Sequence, residues 1–215
     1  MTELSADLSA PDPGLGAAIE VADWRRRIGD LYCRIREHKD PEVAWELWCF
    51  ERNRLFSAHP QSPIPPDQQT TYSGPPVFAY DGRWRFTVNA EPLQEADSFL
   101  VDLGLDGVLP LTAVARTSGL GAVLGTELTL YWMGGYAGGL FLPFTDGTSG
   151  RESYGGGRYL IDSRKGADLG TAGNRLVLDF NFAYHPSCCY APEFTCPLAP
   201  AENRVTERIT AGERL

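Results

Sequence analysis

Val77-Phe78-Ala79-Tyr80-Asp81-Gly82-Arg83-Trp84-Arg85-Phe86-Thr87-Val88-Asn89 is the stretch on which the reading of the fold turns. Two segments rich in aromatic and β-branched residues, 77–80 and 84–89, flank an Asp-Gly pair. That pair predicts a tight hairpin, because such a turn requires positive φ. The same texture continues downstream: short apolar or alternating segments divided by Gly, Pro and Asp predict further strands over 98–102, 108–115, 127–133, 139–144, 158–161, 175–182 and 204–209. Many short strands with close turns imply a mainly β fold over residues 70–215, an antiparallel sandwich or a barrel-like sheet. No strand alternates with a long helical pattern, which argues against a doubly wound nucleotide-binding sheet.

Upstream the period changes. Trp24, Ile28, Leu31 and Ile35 recur at helical spacing, with Arg25, Arg26, Arg27, Arg34 and Arg36 mostly on other faces. Asp40-Pro41 then restarts a helix, since Asp accepts from the first free amides and Pro at the first position gives up no needed donor. The second helix should run to about Ser57, burying Ala44, Trp45, Trp48, Arg52, Leu55 and Phe56, and His59-Pro60 ends it. Residues 17–58 therefore read as a helical hairpin packed on the β region, both within a single domain over 17–215. Residues 1–16, rich in Ser, Ala, Pro, Asp and Gly without apolar periodicity, read as a disordered tail.

A chain of 215 residues suffices for one sizeable core. Nineteen basic against 28 acidic residues give a net charge of -9, which repels phosphate backbones and anionic lipid, so neither nucleic acid nor membrane is an expected partner. No apolar run approaches the roughly 20 residues that span a bilayer, and the acidic start is unlike a signal peptide, so the chain reads as cytoplasmic. Five cysteines, an odd number, fit reduced thiols better than a secreted disulfide framework, with a bridge from Cys188 or Cys189 to Cys196 left open.

The candidate chemistry lies in the last third. In Thr148-Ser-Gly-Arg-Glu152-Ser-Tyr154-Gly-Gly-Gly-Arg158 the glycines allow backbone amides to turn inward, and with the Arg158 guanidinium they would cradle an anion. The alternative is a loop in which Arg158 pairs with Asp146 or Glu152. Asp179 and Asn181 alternate with Phe180 and Phe182, which in a strand places the polar pair on one face and the rings on the other. A carboxyl on a pocket-lining face would have its pKa raised toward acid–base use. His185, Cys188, Cys189 and Cys196 are ligand types for zinc, yet they form no complete four-ligand pattern, and Pro186 restricts a Cys188–His185 nucleophile pair. No metal and no cofactor is expected.

The same residues carry a resemblance. Leu140-Phe-Leu-Pro-Phe-Thr-Asp146-Gly-Thr-Ser-Gly, Tyr154-Gly-Gly-Gly-Arg-Tyr-Leu160, Lys165-Gly-Ala-Asp-Leu-Gly170, Leu178-Asp-Phe-Asn181, Ala183-Tyr184, Cys196-Pro-Leu, Glu202-Asn203 and Ala211-Gly-Glu213 resemble a bacterial family known as domain of unknown function sixteen eighty-four. Asp40-Pro, Ala44-Trp45, Trp48, Leu55-Phe56 and His59-Pro60-Gln-Ser-Pro63 are similar to its amino-terminal pattern, so the resemblance spans roughly residues 24–213. It implies one intact module and no particular reaction. The family pattern has Asn-Pro and a single Cys followed by Ala where this chain has His185-Pro186 and Cys188-Cys189. The resemblance therefore favours Asp146, Glu152, Tyr154, Arg158, Asp179, Asn181, Tyr184, Cys188 and Asn203 as a common polar set, and leaves His185 and Cys189 particular to this chain.

Two functions are compatible with these residues. In the first the chain is a small-molecule enzyme: Arg158 anchors an anionic or polar substrate, with Asp146, Asn181, Cys188 and Asn203 also binding. Asp179 or Glu152 transfers a proton, and Tyr154 and Tyr184 orient polar groups. In the second it is a noncatalytic ligand-binding or interaction module whose polar cluster is structural. A homodimer through exposed aromatic residues is compatible with either.

Overall fold

The computed structural model describes residues 14–215. In chain order they form α1 (Gly14–Glu37), α2 (Pro41–Ala58), the single turn α3 (Pro66–Gln69), β1 (Arg85–Pro92), β2 (Ser98–Asp102) and β3 (Val108–Ser118). There follow the single turn α4 (Gly121–Leu124), β4 (Thr129–Met133), β5 (Gly139–Phe144), β6 (Arg158–Asp162), β7 (Thr171–Ala172) and β8 (Arg175–Asp179). The strands pair antiparallel in the order β6-β5-β4-β3-β1-β8-β7, with β2 added to β3, and the sheet curls into a half-barrel. A helical hairpin preceding an antiparallel, barrel-like sheet is the class that the sequence predicts.

The hairpin forms for local reasons. Asp40 accepts from the amides of Glu42 at 2.9 Å and Val43 at 3.5 Å, capping α2 ahead of Pro41. Arg34 and Arg36 sit in the last turn of α1, where the exposed carbonyls favour positive charge. Ile28, Leu31, Tyr32 and Ile35 of α1, with Ala44, Trp48, Arg52, Leu55 and Phe56 of α2, form the buried stripes. The five arginines of α1 face outward, as their spacing predicts.

Both faces of the sheet are covered, which is why strands such as β6 are buried at every residue. On the hairpin side Tyr131, Met133, Phe141, Tyr159 and Phe182 pack with the two helices, and the Trp48 and Phe182 rings meet edge to face at 5.6 Å. On the other side Leu130, Leu142, Phe144, Leu160 and Phe180 pack with Val205, Ile209 and Ala211 of the carboxyl-terminal segment. Pro143 has no amide for the ladder, and the β5–β6 register shifts there.

Several local expectations are corrected. Residues 77–80 make no strand beyond one bridge from Val77 to Glu213, and the Asp81-Gly82 hairpin does not form. The Asn181 side chain takes the amide of Asp81 at 3.0 Å and its carbonyl at 2.9 Å, Asp81 caps a short 3-10 turn, and β1 pairs with β8 and β3 instead. Residues 204–209 bridge only at Arg204, because the amide of Ile209 goes to Asp146 and its carbonyl to Arg158. The strand predicted over 175–182 stops at Asp179, whose carboxylate caps a 3-10 turn over Phe180–Phe182. The alternation therefore breaks, and Phe180 and Phe182 end on opposite sides of the sheet. The expected tail lies outside the described residues up to position 13, while Gly14, Leu15 and Gly16 open α1.

Candidate functional site

The polar residues of the last third come to rest in separate places. Arg158, fully buried, has Asp146 Oδ1 3.1 Å from Nη2, and its guanidinium donates to the carbonyls of Ile209, Ala211 and Glu213. Burial pushes its pKa down, and Asp146 works against that. Asp146 also accepts from the amides of Thr148 and Ile209 and from the Thr148 hydroxyl. Several loop amides are turned onto the loop itself: those of Arg151, Glu152 and Ser153 all donate to the Thr148 carbonyl, and that of Gly150 to the Ser153 carbonyl. Asp146 and Arg158 thus bind the carboxyl-terminal segment to the sheet.

Asp179 is likewise buried, accepting from Arg85 Nη1 at 2.9 Å and from the amide and side chain of Asn181 at 3.0 and 2.8 Å. Burial raises its pKa, while Arg85 and Asn181 oppose the rise. Asn203 stands in for a strand: it accepts from the Thr129 amide at 2.7 Å and donates to the carbonyls of Thr129 and Pro143, both at 2.8 Å. Glu152 pairs with Arg208 at the surface, and that hydrogen bond lowers its pKa. Tyr154 and Cys188 meet at 3.6 Å, and the Tyr154 amide donates to His185 Nε2 at 3.2 Å. The Cys188 contact, then burial, pushes the Tyr154 hydroxyl up to about 12. Among the described residues no group of three His, Cys, Asp or Glu side chains could hold a metal.

One predicted residue, Tyr184, lines a cleft between the helical hairpin and the half-barrel, with a volume of about 100 Å³. Its walls include Trp24 of α1, Trp48, Arg52 and Phe56 of α2, and Tyr190 and Phe194 of the later chain. Lys165, Gln61, Ser187 and His185 add polar groups, and no acid is among the lining residues. Arg52 is the centre of this site. Its Cζ lies 5.1, 4.7 and 5.0 Å from the ring centroids of Trp48, Phe56 and Tyr184, so aromatic rings shield the guanidinium. Behind it is Glu213, wholly buried, which accepts from Arg52 Nε at 2.7 Å, the His185 amide at 2.7 Å and the Tyr190 hydroxyl at 2.8 Å.

Burial is the largest influence and disfavours the Arg52 charge, yet Glu213 together with Tyr190 and Tyr32 outweighs it and the pKa rises. His185 goes the other way, pushed down to about 4 by burial, so its ring is neutral near pH 7. Arg52 Nη2 stands 2.5 Å from Glu213 Oε1, yet its hydrogens align with no acceptor among the described residues. At that distance Glu213 Oε1 faces both Nε and Nη2, so the ion pair engages this side of the guanidinium and the imperfect alignment leaves no donor exposed.

A larger groove of about 620 Å³ runs between α1 and α2. Its charges pair with one another at the surface, as in Arg27–Asp23 at 2.7 Å and Arg34–Glu51 at 3.3 Å, so the smaller cleft is the stronger candidate. Arg52 and Glu213 were the residues hardest to find from sequence. A cation on the apolar stripe of α2 was the available signal, since burial there demands a counter-ion. Nothing local identified Glu213 as that counter-ion.

The family described as "Protein of unknown function (DUF1684)" matches residues 70–214. Among solved structures, the solution NMR structure of an uncharacterized protein of Haloarcula marismortui is 32% identical, covering 81% of this chain and 94% of that one with a TM-score of 0.55. No curated protein matches the chain. No helix among the described residues is long and apolar enough to cross a membrane.

Proposed function

The chain belongs to the DUF1684 family, and from that premise we propose that it is a small-molecule-binding protein whose ligand enters the cleft between the hairpin and the half-barrel. The observation that carries this reading is the cleft itself: Trp24, Trp48, Phe56 and Tyr184 wall a space of about 100 Å³ to which Arg52 and Lys165 bring positive charge, with no acid among the lining residues. Apolar walls around a few convergent polar groups are the usual make-up of a ligand pocket. Arg158, Asp179 and Asn203 have most of their polar atoms engaged within the fold, with Arg158 Nε left without an acceptor among the described residues, which favours a structural role for them. A catalytic site built on Asp179, Glu152, Tyr154 and Tyr184 would need these groups around one cavity, and of the four only Tyr184 lines the cleft.

A thermal-shift screen of small carboxylates, phosphates and amines tests the proposal, repeated on Ser187→Phe, which fills the cleft from its half-buried rim. The expected result is a ligand that raises the melting temperature of the parent protein and not that of the variant. A ligand that stabilises both equally binds elsewhere, and the reading fails.

A further inference from the structure

We propose that Cys188 and Cys196 form a peroxide-reactive dithiol, a modification site at which a hydroperoxide converts the two thiols into one intramolecular disulfide. The pair lies outside the cleft lining and does not depend on the cleft reading.

The backbone brings the two sulfurs together. Pro186 opens a 3-10 turn over Ser187–Cys189, and within it the amide of Cys188 donates to Cys196 Sγ at 3.4 Å. An amide nitrogen stands about 1.5 Å from its own Cα, so at most about 5 Å separates Cys196 Sγ from the Cys188 Cα, within the reach of a disulfide whose Cα atoms lie about 4.4–6.8 Å apart. The two thiols are also in side-chain contact. A turn of about three residues rotates neighbouring side chains apart by about a third of a circle, so facing Cys188 toward Cys196 turns Cys189 away. The Cys189 amide goes to the Pro186 carbonyl instead, at 2.9 Å. Of the two bridges that the sequence leaves open, the geometry therefore selects Cys188 to Cys196.

The surroundings divide the labour between the sulfurs. Cys188 Sγ meets the Tyr154 hydroxyl at 3.6 Å. The Cys188 contact, then burial, holds that hydroxyl protonated up to about 12, so near neutral pH its O–H can donate to a Cys188 thiolate. Burial pushes Cys196 up to about 11 and Cys189 up to about 12, which keeps both as thiols. Cys188 is thus the attacking sulfur, and both members of the pair are partly exposed, which admits a small oxidant. Its thiolate takes one oxygen of hydrogen peroxide, the O–O bond breaks, and the other oxygen leaves as hydroxide and collects a proton to become water. Cys196 then attacks the sulfenic sulfur of Cys188: the S–S bond forms, the S–O bond breaks, and the second oxygen leaves as water with the Cys196 proton. Two electrons pass from the two thiols to the peroxide.

The test treats the reduced full chain with an equimolar amount of hydrogen peroxide near neutral pH, blocks remaining thiols with iodoacetamide in urea, and maps the peptides by mass spectrometry without reduction. The expected result is a Cys188–Cys196 linked peptide that dithiothreitol separates, with Cys33, Cys49 and Cys189 alkylated. Cys189→Ser should form the same bridge, and Cys196→Ser should stop at a Cys188 sulfenic acid that dimedone captures. Tyr154→Phe should move the pH midpoint of Cys188 alkylation upward, a shift that a packing role alone would not produce. If Cys196→Ser does not fold, the peptide map of the parent protein decides the question. No linked peptide, a bridge through Cys189, or oxidation of the exposed Cys33 ahead of the pair overturns the proposal, and an unmoved midpoint in Tyr154→Phe overturns the part given to the tyrosine.

Discussion

Glu213, in the last three residues of the chain, holds Arg52 of α2 through an Nε–Oε1 hydrogen bond of 2.7 Å across 161 positions of sequence. Both groups are buried, and Glu213 also receives the His185 amide and the Tyr190 hydroxyl. One carboxylate thus ties the hairpin to the segment after the sheet and backs the cleft.

Removing either member of this pair should be costly, because the other is left as a buried, unbalanced charge. Arg52→Met and Glu213→Gln are each expected to destabilise by about 3–5 kcal/mol in urea denaturation. The double variant should lose clearly less than the sum, and strictly additive losses would show that the two groups act independently.

The Arg158–Asp146 pair predicts a different pattern. Arg158→Met leaves Asp146 buried without its cation and removes donors to three carbonyls, so a loss of about 3–5 kcal/mol is expected in the same denaturation assay. Fluorescence titrations of whatever variant protein remains folded should show cleft binding within a factor of two of the parent. A tenfold loss of affinity in folded protein would instead place Arg158 in the ligand site.

For Glu152 the expectation is near silence. Its ion pair with Arg208 is exposed, and such pairs are screened by water and salt. Glu152→Gln should leave the melting temperature and cleft binding within experimental error of the parent, and a marked fall in either would give this carboxylate a role that its position does not suggest.

His185 sets a pH dependence whose sign can be worked out. Burial holds its pKa at about 4 in the folded protein, against 6.5 for the free side chain. Between these values the unfolded chain takes up a proton that the folded chain does not, so stability rises with pH across the window. The contribution is complete above about pH 6.5, is lost as the pH falls toward 4, and levels off below. Its full size is on the order of 3 kcal/mol. Urea denaturation of the parent and of His185→Gln at about pH 7 and about pH 4.5 checks this: the parent should lose more stability on acidification, and parallel losses would remove His185 as the cause.

Much of the fold was legible because its signals are local. The helical spacing of Ile28, Leu31 and Ile35, the Asp40-Pro41 cap and the strands at Ser98–Asp102 and Gly139–Phe144 all follow from residues close in sequence. The errors came where a distant side chain took over a backbone group. Asn181 engages Asp81 and removes the hairpin, and Asp146 and Arg158 hold Ile209 where a strand was expected. Amides and carbonyls accept a side-chain partner as readily as a ladder, and local pattern cannot distinguish the two.

By itself, then, the sequence determined the helical hairpin, the antiparallel β class and the residues rich in chemistry, since periodicity and turn preference act over a few positions. Only the tertiary structure decided which polar residues meet. It enclosed Arg158, Asp179 and Asn203 in separate buried clusters, and it brought Arg52, Tyr184 and His185 to one cleft with Glu213 behind them. The physical reason is that a buried charge must find its counter-charge wherever the curled sheet and the packed helices deliver one, and for Arg52 that was the far end of the chain.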